Sequence, residues 1–197
     1  EIGLMNDYRN MGNLSMQKTD WANADKFYKN SLEINNKTNN RYEISEDHRN
    51  RGNLYLQKED WSQAEKFTLK SLAISEGIKD YRNVCADCRI LTNIYVEKKE
   101  RSKQEIYYNK ALENSRILND PKEILIDLRY LGEFNMERGY REKAGESFQQ
   151  AFDLSSQLSD KKEIAEDYRN LGNLAFSNGE RKEAERSYLS ALELTRE

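Results

Sequence analysis

Apolar residues recur along the chain at the spacing of amphipathic helices, and the whole pattern returns every 40 residues. At the start of the chain, Tyr8, Met11 and Leu14 form one apolar stripe. A second stripe follows at Ala24, Phe27, Tyr28, Ser31 and Leu32. Spacings of three, four and seven residues place side chains on one face of a helix. Each period is therefore predicted to hold two amphipathic helices joined by a short turn.

The period is marked by an aspartate that opens five matching segments, at Asp7, Asp47, Asp87, Asp127 and Asp167. The first segment begins DYRNMGNL and the fifth begins DYRNLGNL. A fixed period of this length is typical of repeat proteins, in which each unit packs on its neighbours. The prediction is an all-α fold of about ten antiparallel helices. Five helix-turn-helix units form a single array over 1–197, at 1–40, 41–80, 81–120, 121–160 and 161–197.

The helix boundaries repeat with the same period. The predicted N-caps of the first helices are Asn40, Asp80, Asp120 and Asp160. Short polar side chains of this kind accept a hydrogen bond from the first helical turn. Pro121 follows at the first helical position, which suits its missing N–H group. Within the hairpins, Gly139 and Gly179 stand in the turns, where left-handed backbone is expected.

Composition narrows the class of protein. Hydrophobic residues are 37%, charged residues are 34%, and the mean hydropathy is −1.03. A polar chain that still folds fits a thin stack of helices without a thick core. The net charge of −3 does not favour nucleic acid, and no apolar run is long enough to cross a membrane. With two cysteines and no starting methionine, we expect a cytoplasmic fragment of a larger protein.

The repeated residues resemble the tetratricopeptide repeat over the whole chain. The helix-contact glycine is matched by Gly12, Gly52, Gly132 and Gly172, and the small residue of the second helix by Ala24, Ala64, Ala144 and Ala184. The aromatic position is matched by Tyr28, Tyr108, Phe148 and Tyr188. The 40-residue unit is similar to repeats of Pins/LGN-type adaptors, kinesin light chains and bacterial signalling regulators. The resemblance implies a right-handed α-solenoid whose first helices line a concave groove for extended peptides.

Some positions depart from the family pattern. In the third unit, Thr92 replaces the glycine, Gln104 replaces the alanine, and Cys88 fills a large-residue position. Looser or shifted packing is predicted there. In the second unit, Arg51 stands where the other units have Met or Leu.

An arginine occupies the same position in every unit, four residues before an asparagine or, in the fourth unit, a glutamate. Residues four apart share a helix face, and the resemblance implies that this face is concave. Asn can pair with a peptide backbone, and Arg favours carboxylates. The predicted function is a non-enzymatic scaffold or adaptor in signalling that binds an extended, acidic peptide segment. The predicted peptide-binding residues are Arg9, Asn13, Arg49, Asn50, Asn53, Arg89, Asn93, Arg129, Arg169, Asn170 and Asn173.

Two alternatives stay open for these rows. Nearby acids could neutralise the arginines, which would make the row a purely structural, solvated face. The chain could also be a structural or self-associating region of a larger signalling regulator, with contacts through its terminal helices. The family's clamp for C-terminal carboxylates is disfavoured, because Ala86 and Ile90 stand where that clamp has basic residues. The aspartate row is expected near the core and bonded to a neighbouring helix, through an Arg or Tyr of an adjacent unit.

No residue pattern supports enzyme chemistry or a cofactor. Cys85 and Cys88 form a C-x-x-C pair, but the pair lies within a predicted helix, without the strand that precedes a redox motif. A zinc site needs about four ligands, and His48 is the one histidine. Both cysteines and His48 are predicted to pack in the core.

Overall fold

A computed structural model describes residues 2–196 of the chain, and over that range the structure consists of ten α-helices. Their bounds are α1 Ile2–Gln17, α2 Trp21–Thr38, α3 Arg41–Gln57, α4 Trp61–Gly77, α5 Tyr81–Glu97, α6 Arg101–Leu118, α7 Pro121–Glu137, α8 Arg141–Leu158, α9 Lys161–Ser177 and α10 Arg181–Arg196. The predicted all-α fold of tandem helix-turn-helix units is confirmed. Across the described residues, no helix combines the length and apolar character that crossing a membrane requires.

The chain divides into two compact units within α6, between Asn114 and Ser115. In the first unit, α1 packs on α2, α3 on α4, and each second helix on the first helix of the next hairpin. Helices α3 and α5 also touch directly. The second unit repeats this arrangement with α7 to α10, including a direct contact between α7 and α9. In both units, therefore, first helices lie beside first helices.

The predicted caps are confirmed, and they explain where the first helices begin. The Asp80 side chain accepts a hydrogen bond from the Asn83 N–H at 3.1 Å, and Asp160 accepts from Lys162 and Glu163. Asn40 and Asp120 cap α3 and α7 in the same way, and Pro121 is the first residue of α7. These bonds satisfy N–H groups that have no partner within the helix.

The turns inside the hairpins use left-handed backbone, as predicted for Gly139 and Gly179, whose φ angles are 74° and 82°. The other three hairpins adopt the same conformation without glycine, at Thr19, Glu59 and Lys99, with φ between 56° and 57°. Glycine is therefore the residue that fits this turn with least strain, but the turn forms without it.

The repeated spacing of glycine and aromatic residues along the chain reflects close approach of the two helices in a hairpin. A Cβ atom placed on Gly132 would lie 2.4 Å from Cε1 of Phe148, a ring that is 1% exposed. Gly12 and Gly172 face Tyr28 and Tyr188 in the same way.

The third hairpin is well packed despite its departures from the repeat. Cys85, Cys88, Leu91 and Ile94 are all fully buried. Thr92 is 2% exposed and donates its hydroxyl to the Cys88 carbonyl. The predicted looser packing is therefore not seen, because residues of other shapes fill the space.

Candidate functional site

Three of the repeated arginines donate to the aspartate of the following hairpin. The Nε atom of Arg49 lies 2.7 Å from Oδ1 of Asp87, and that of Arg129 lies 2.6 Å from Oδ1 of Asp167. Arg9 reaches Oδ1 of Asp47 through Nη2 at 2.9 Å and through Nε at 3.2 Å. Each pair joins residues 38 apart and ties one first helix to the next, within α1–α3, α3–α5 and α7–α9.

Two of these aspartates, Asp47 and Asp87, also bind the second helix of the preceding hairpin. Asp47 accepts from Ser31 at 2.9 Å and from Asn35 at 2.5 Å. Asp87 accepts from Ser71 at 2.8 Å and from Ser75 at 3.4 Å. The predicted bond between the aspartate row and an Arg of an adjacent unit is confirmed at Asp47, Asp87 and Asp167.

Burial is the largest influence on the pKa of Asp47 and of Asp87. Burial raises the pKa of Asp87 to about 6, although the charge of Arg49 acts in the opposite direction. The pKa of Asp47 is raised for the same reason against the opposing charge of Arg9. For Arg49, burial would lower the pKa, but attraction to Asp87 outweighs it and raises the pKa. The carboxylates are thus held by their partners at a substantial desolvation cost.

The outer side of each of these guanidinium groups is held by a glutamate. Nη1 of Arg9 lies 2.5 Å from Glu43, Nη1 of Arg49 lies 2.8 Å from Glu46, and Nη1 of Arg129 lies 2.5 Å from Glu163. The side chains of the three arginines are only 11–17% exposed. These three guanidinium groups are therefore paired with acids of the chain, which is the alternative that the sequence left open. Their part in peptide binding stays a prediction.

The other two arginines differ from each other. Arg89 is half-buried and interacts with further residues of the chain. Arg169 is 44% exposed, and its Nη2 donates to Glu166 in the same helix at 2.6 Å. The Nε atoms of Arg9, Arg49 and Arg129 donate to the next hairpin, whereas that of Arg169 donates to Glu166 of its own helix.

The asparagines that follow the arginines are more accessible. Asn13 and Asn173 are exposed. The side-chain oxygen of each accepts a hydrogen bond from the tyrosine of its own hairpin at 2.8 Å. Asn93 is exposed and Asn53 is half-buried. Of the two asparagines that directly follow an arginine, Asn50 is half-buried and Asn170 is only 6% exposed.

The second compact unit has a cavity between its first helices, α7 and α9. It has a volume of 330 Å³. Its lining residues are Ile126, Arg129, Tyr130, Glu133, Lys162, Glu163, Glu166 and Asn170. Burial, together with the charges of Glu137 and Glu166, raises the pKa of Glu133. Two predicted site residues, Arg129 and Asn170, thus meet in a concavity that also offers an aromatic side chain.

A cluster around Phe67 explains the unusual Arg51. The guanidinium carbon of Arg51 lies 3.9 Å from the centre of the Phe67 ring, and its Nε donates to Asp25 at 2.9 Å. The ring of His48 also stacks on the Phe67 ring, with ring centres 6.0 Å apart. The sequence analysis placed His48 in the core but missed this arrangement, which side chains of α3 and α4 form together with Asp25 of the preceding hairpin.

His48 is expected to make stability depend on pH. Burial, with the charges of Lys70 and Arg51, lowers the pKa of His48 to about 4. In the unfolded chain the pKa is about 6.5, so the unfolded state binds a proton first as the pH falls, and stability is lost between about pH 6.5 and 4. Between pH 7 and 5 the free energy of unfolding of the wild type should fall by about 1–2 kcal/mol more than that of His48→Tyr. Urea denaturation followed by tryptophan fluorescence measures both values.

Tyrosine is a matched replacement, because Tyr8 and Tyr168 hold the same position in the first and fifth hairpins. The buried aspartates titrate in both proteins, so their contribution cancels in the comparison. Identical pH dependence of the two proteins would contradict the assignment to His48.

The two cysteines are core residues. Both are fully buried, and burial raises the pKa of the Cys88 thiol well above its ordinary value. The Cys85 thiol donates to the Ala111 carbonyl at 3.4 Å. Among the described residues, no group of three or more His, Cys, Asp or Glu side chains has the arrangement of a metal site.

Comparison with known structures identifies the fold. The chain superposes on BtubC (BKLC) from P. vanneervenii with a TM-score of 0.83 and 18% identity, covering 94% of this chain and 77% of that one. A putative kinesin light chain of Podosopora anserina with TPR-like repeats gives a TM-score of 0.79 at 12% identity, covering 97% and 94%. The fold is that of the tetratricopeptide-like repeats.

A further similar structure is Rap protein complexed with Competence and Sporulation Factor, with a TM-score of 0.69 and 16% identity. The similarity covers 96% of this chain and 53% of that one. No protein-family model matches the sequence. No curated protein matches it either. The tetratricopeptide resemblance is thus confirmed at the level of the fold, while the Pins/LGN-type variant stays a prediction.

Proposed function

We propose that the chain is a non-enzymatic scaffold that binds an extended peptide segment of another protein along the face of its first helices. The observation that carries the proposal is the cavity between α7 and α9, which brings Arg129 and Asn170 together with Tyr130. One protein of similar fold, Rap, has been solved complexed with Competence and Sporulation Factor, which supports a partner-binding role. Support comes also from the accessible asparagines on the same face of the first helices.

The asparagines are proposed to bind the backbone of the segment. An Asn side chain carries both a donor and an acceptor, so it can pair with a peptide bond whatever the sequence. Asn53 and Asn93 lie four residues after Arg49 and Arg89 and retain access to solvent. Adjacent helices lie about 8–10 Å apart, which spans roughly three residues of an extended chain. The row Asn13, Asn53 and Asn93, with one asparagine in each of the first three hairpins, therefore matches the advance of an extended peptide.

The arginines are proposed to contribute through their outer sides. In the α1–α3 and α7–α9 pairs, the inner N–H groups bind a buried aspartate, and Nη1 binds a glutamate whose side chain is 20% exposed at Glu43 and 30% at Glu163. A carboxylate of the partner can replace the glutamate without breaking the inner bond. The proposed preference for an acidic segment is assigned to the α1–α3 surface, because Glu133 and Glu166 repel carboxylates at α7–α9.

Synthetic extended peptides of about twelve residues, in acidic, neutral and basic versions, provide the test. We expect peptides retained by the wild type to bind at least about tenfold more weakly to Asn53→Ala with Asn93→Ala. The matched control is Asn109→Ala with Asn114→Ala, since these asparagines bond carbonyls of their own second helix. Equal binding by both double variants, or no retained peptide, would overturn the scaffold proposal. Preference for the basic versions would overturn the acidic part alone.

A further inference from the structure

Two aromatic rings stack on each other in the second and third hairpins but have no counterpart in the fifth. In the second hairpin, the Phe67 ring stacks on the Tyr55 ring, with ring centres 5.4 Å apart. In the third, Tyr107 stacks on Tyr95 with ring centres 5.5 Å apart. The same two positions of the fifth hairpin hold Ser187 and Ala175.

A cavity of the fifth hairpin lies at the place of this ring pair, and we call it the Ser187 cavity. It has a volume of 380 Å³, and both Ser187 and Ala175 line it. Tyr168 also lines it, at the position from which His48 stacks on Phe67 in the second hairpin. A cavity of about 150 Å³ can hold benzene, so the Ser187 cavity has room for a larger aromatic group.

The cavity is not an end surface of the array. Its lining residues come from α8, α9, α10 and the turn between α9 and α10, so helices of the chain bound it on both sides. In the second and third hairpins the same place is filled by rings of the hairpin itself, and not by the hairpin that follows. A further hairpin packed on the other side of α10 would therefore leave the cavity open.

The fifth hairpin differs here from the first and the fourth as well. The first hairpin keeps one of the two rings, at Phe27. The fourth has Ser147 at that position, but Asn135, which is only 5% exposed, stands where the fifth has Ala175. Small side chains at both positions are thus a property of the fifth hairpin.

The lining combines apolar walls with a polar end. The rings of Phe152 and Tyr168 lie 4.8 Å apart at an angle of 60°, and Leu174 is 8% exposed. At the end nearest the α9–α10 turn stands Asn178, whose Oδ1 is buried and accepts no hydrogen bond from the described residues. This lining suits an aromatic ring that carries a hydrogen-bond donor at its edge.

We propose that the Ser187 cavity binds a tryptophan side chain from a segment of a partner protein. The indole ring system is larger than a single ring, and its one polar group is an N–H donor. After a turn about its Cβ–Cγ bond, Asn178 can accept a hydrogen bond from this N–H. Glu180 and Glu183 border the same end, so neutral or basic residues are expected beside the tryptophan.

A second cavity favours a protein segment over a free indole compound. It has a volume of 440 Å³ and shares Phe152 and Tyr168 with the Ser187 cavity. Its other lining residues include the apolar Ile164 and Leu194. Residues that flank the tryptophan can follow this continuation between α8 and α10, which a single ring system cannot do.

The Ser187 cavity is separate from the site of the proposed function. Tyr168 and Glu166 are two positions apart on α9, so their side chains point to nearly opposite sides of the helix. Glu166 lines the α7–α9 cavity, whereas Tyr168 lines the Ser187 cavity. Binding of a tryptophan therefore does not depend on the proposed groove of the first helices.

Calorimetric titration of residues 1–197 with short, uncharged peptides that differ only in a central Trp, Phe or Ala tests the proposal. We expect the Trp peptide to bind at least about tenfold more tightly than the Ala peptide. The Phe peptide should bind less tightly than the Trp peptide, because its ring has no donor for Asn178. N-acetyltryptophanamide should bind more weakly than the Trp peptide, and equal binding would overturn the choice of a segment.

Two variants locate the binding. Ser187→Phe with Ala175→Tyr rebuilds the ring pair of the second hairpin and should weaken binding of the Trp peptide at least about tenfold. Asn178→Ala leaves the cavity open and should weaken the Trp peptide at least about fivefold, while the Phe peptide binds as before. The far-ultraviolet circular dichroism of both variants should equal that of the wild type.

Ser102→Phe is the matched control, because it adds the same ring at an exposed serine of α6 and should leave binding unchanged. Asn53→Ala with Asn93→Ala should also leave it unchanged, which separates this cavity from the proposed groove. Equal binding of the Trp and Ala peptides, including no binding of either, would overturn the proposal. Wild-type affinity in both cavity variants, or a loss of affinity in the Asn53 and Asn93 variant, would overturn it as well.

Discussion

Replacing Asp87 by alanine is expected to lower the free energy of unfolding by about 3 kcal/mol or more. The change removes the carboxylate that binds Nε of Arg49 at 2.7 Å and accepts from the Ser71 hydroxyl at 2.8 Å. Arg49 is 11% exposed, so water cannot replace the lost partner. Chemical denaturation followed by tryptophan fluorescence measures the effect directly, because Trp21 and Trp61 both lie in the first compact unit.

Asp153→Ala is the control for this prediction. Its side chain is exposed and accepts a single bond from Gln149 one turn away, so a change within about 0.5 kcal/mol is expected.

A second comparison measures how much of the loss comes from leaving Arg49 buried without its partner. Since burial raises the pKa of Asp87 to about 6 even beside Arg49, the pair costs desolvation energy that an apolar pair would not. Asp87→Leu with Arg49→Met should therefore regain more than half of the loss seen in Asp87→Leu. A double variant less stable than Asp87→Leu would contradict this account.

Replacing Gly132 by alanine is expected to lower the free energy of unfolding by about 2 kcal/mol, although alanine is the better helix former. The new Cβ would lie 2.4 Å from one carbon of the Phe148 ring and 2.6 Å from the next. Phe148 is 1% exposed and packs on Ala144 and Leu174, so α7 and α8 must move apart. Urea denaturation followed by far-ultraviolet circular dichroism measures the loss.

Gly145→Ala is the matched control, because it makes the same chemical change within α8 of the same hairpin. A Cβ on Gly145 would lie 3.5 Å from Leu174, which is an ordinary contact. We therefore expect Gly145→Ala to raise stability by about 0.5–1 kcal/mol, through helix propensity alone. The opposite signs of the two substitutions are the prediction. Equal effects would show that helix propensity, and not contact with Phe148, decides the outcome at Gly132.

The candidate site was only partly predictable from the sequence. The 40-residue period placed Arg9, Arg49 and Arg129 on equivalent positions of first helices, and the structure confirms that equivalence. The aspartate row was expected to bond an Arg or Tyr of an adjacent unit, but the period could not show that the partners are these same arginines. That contact depends on how far one hairpin is displaced from the next, which brings together side chains 38 residues apart. The stack of Arg51 and His48 on Phe67 was missed because it depends on how α3 and α4 face each other within their hairpin.

The sequence by itself determined the helices, their caps and the order of the hairpins, because those features depend on neighbours within a few residues. Asn40, Asp80, Asp120 and Asp160 end one unit and begin the next through bonds to N–H groups two or three positions ahead. Only the tertiary structure decided which polar side chains are open to a partner. Whether a charge is buried in a pair or exposed depends on the packing of successive hairpins, as the paired Arg129 and the exposed Arg169 show.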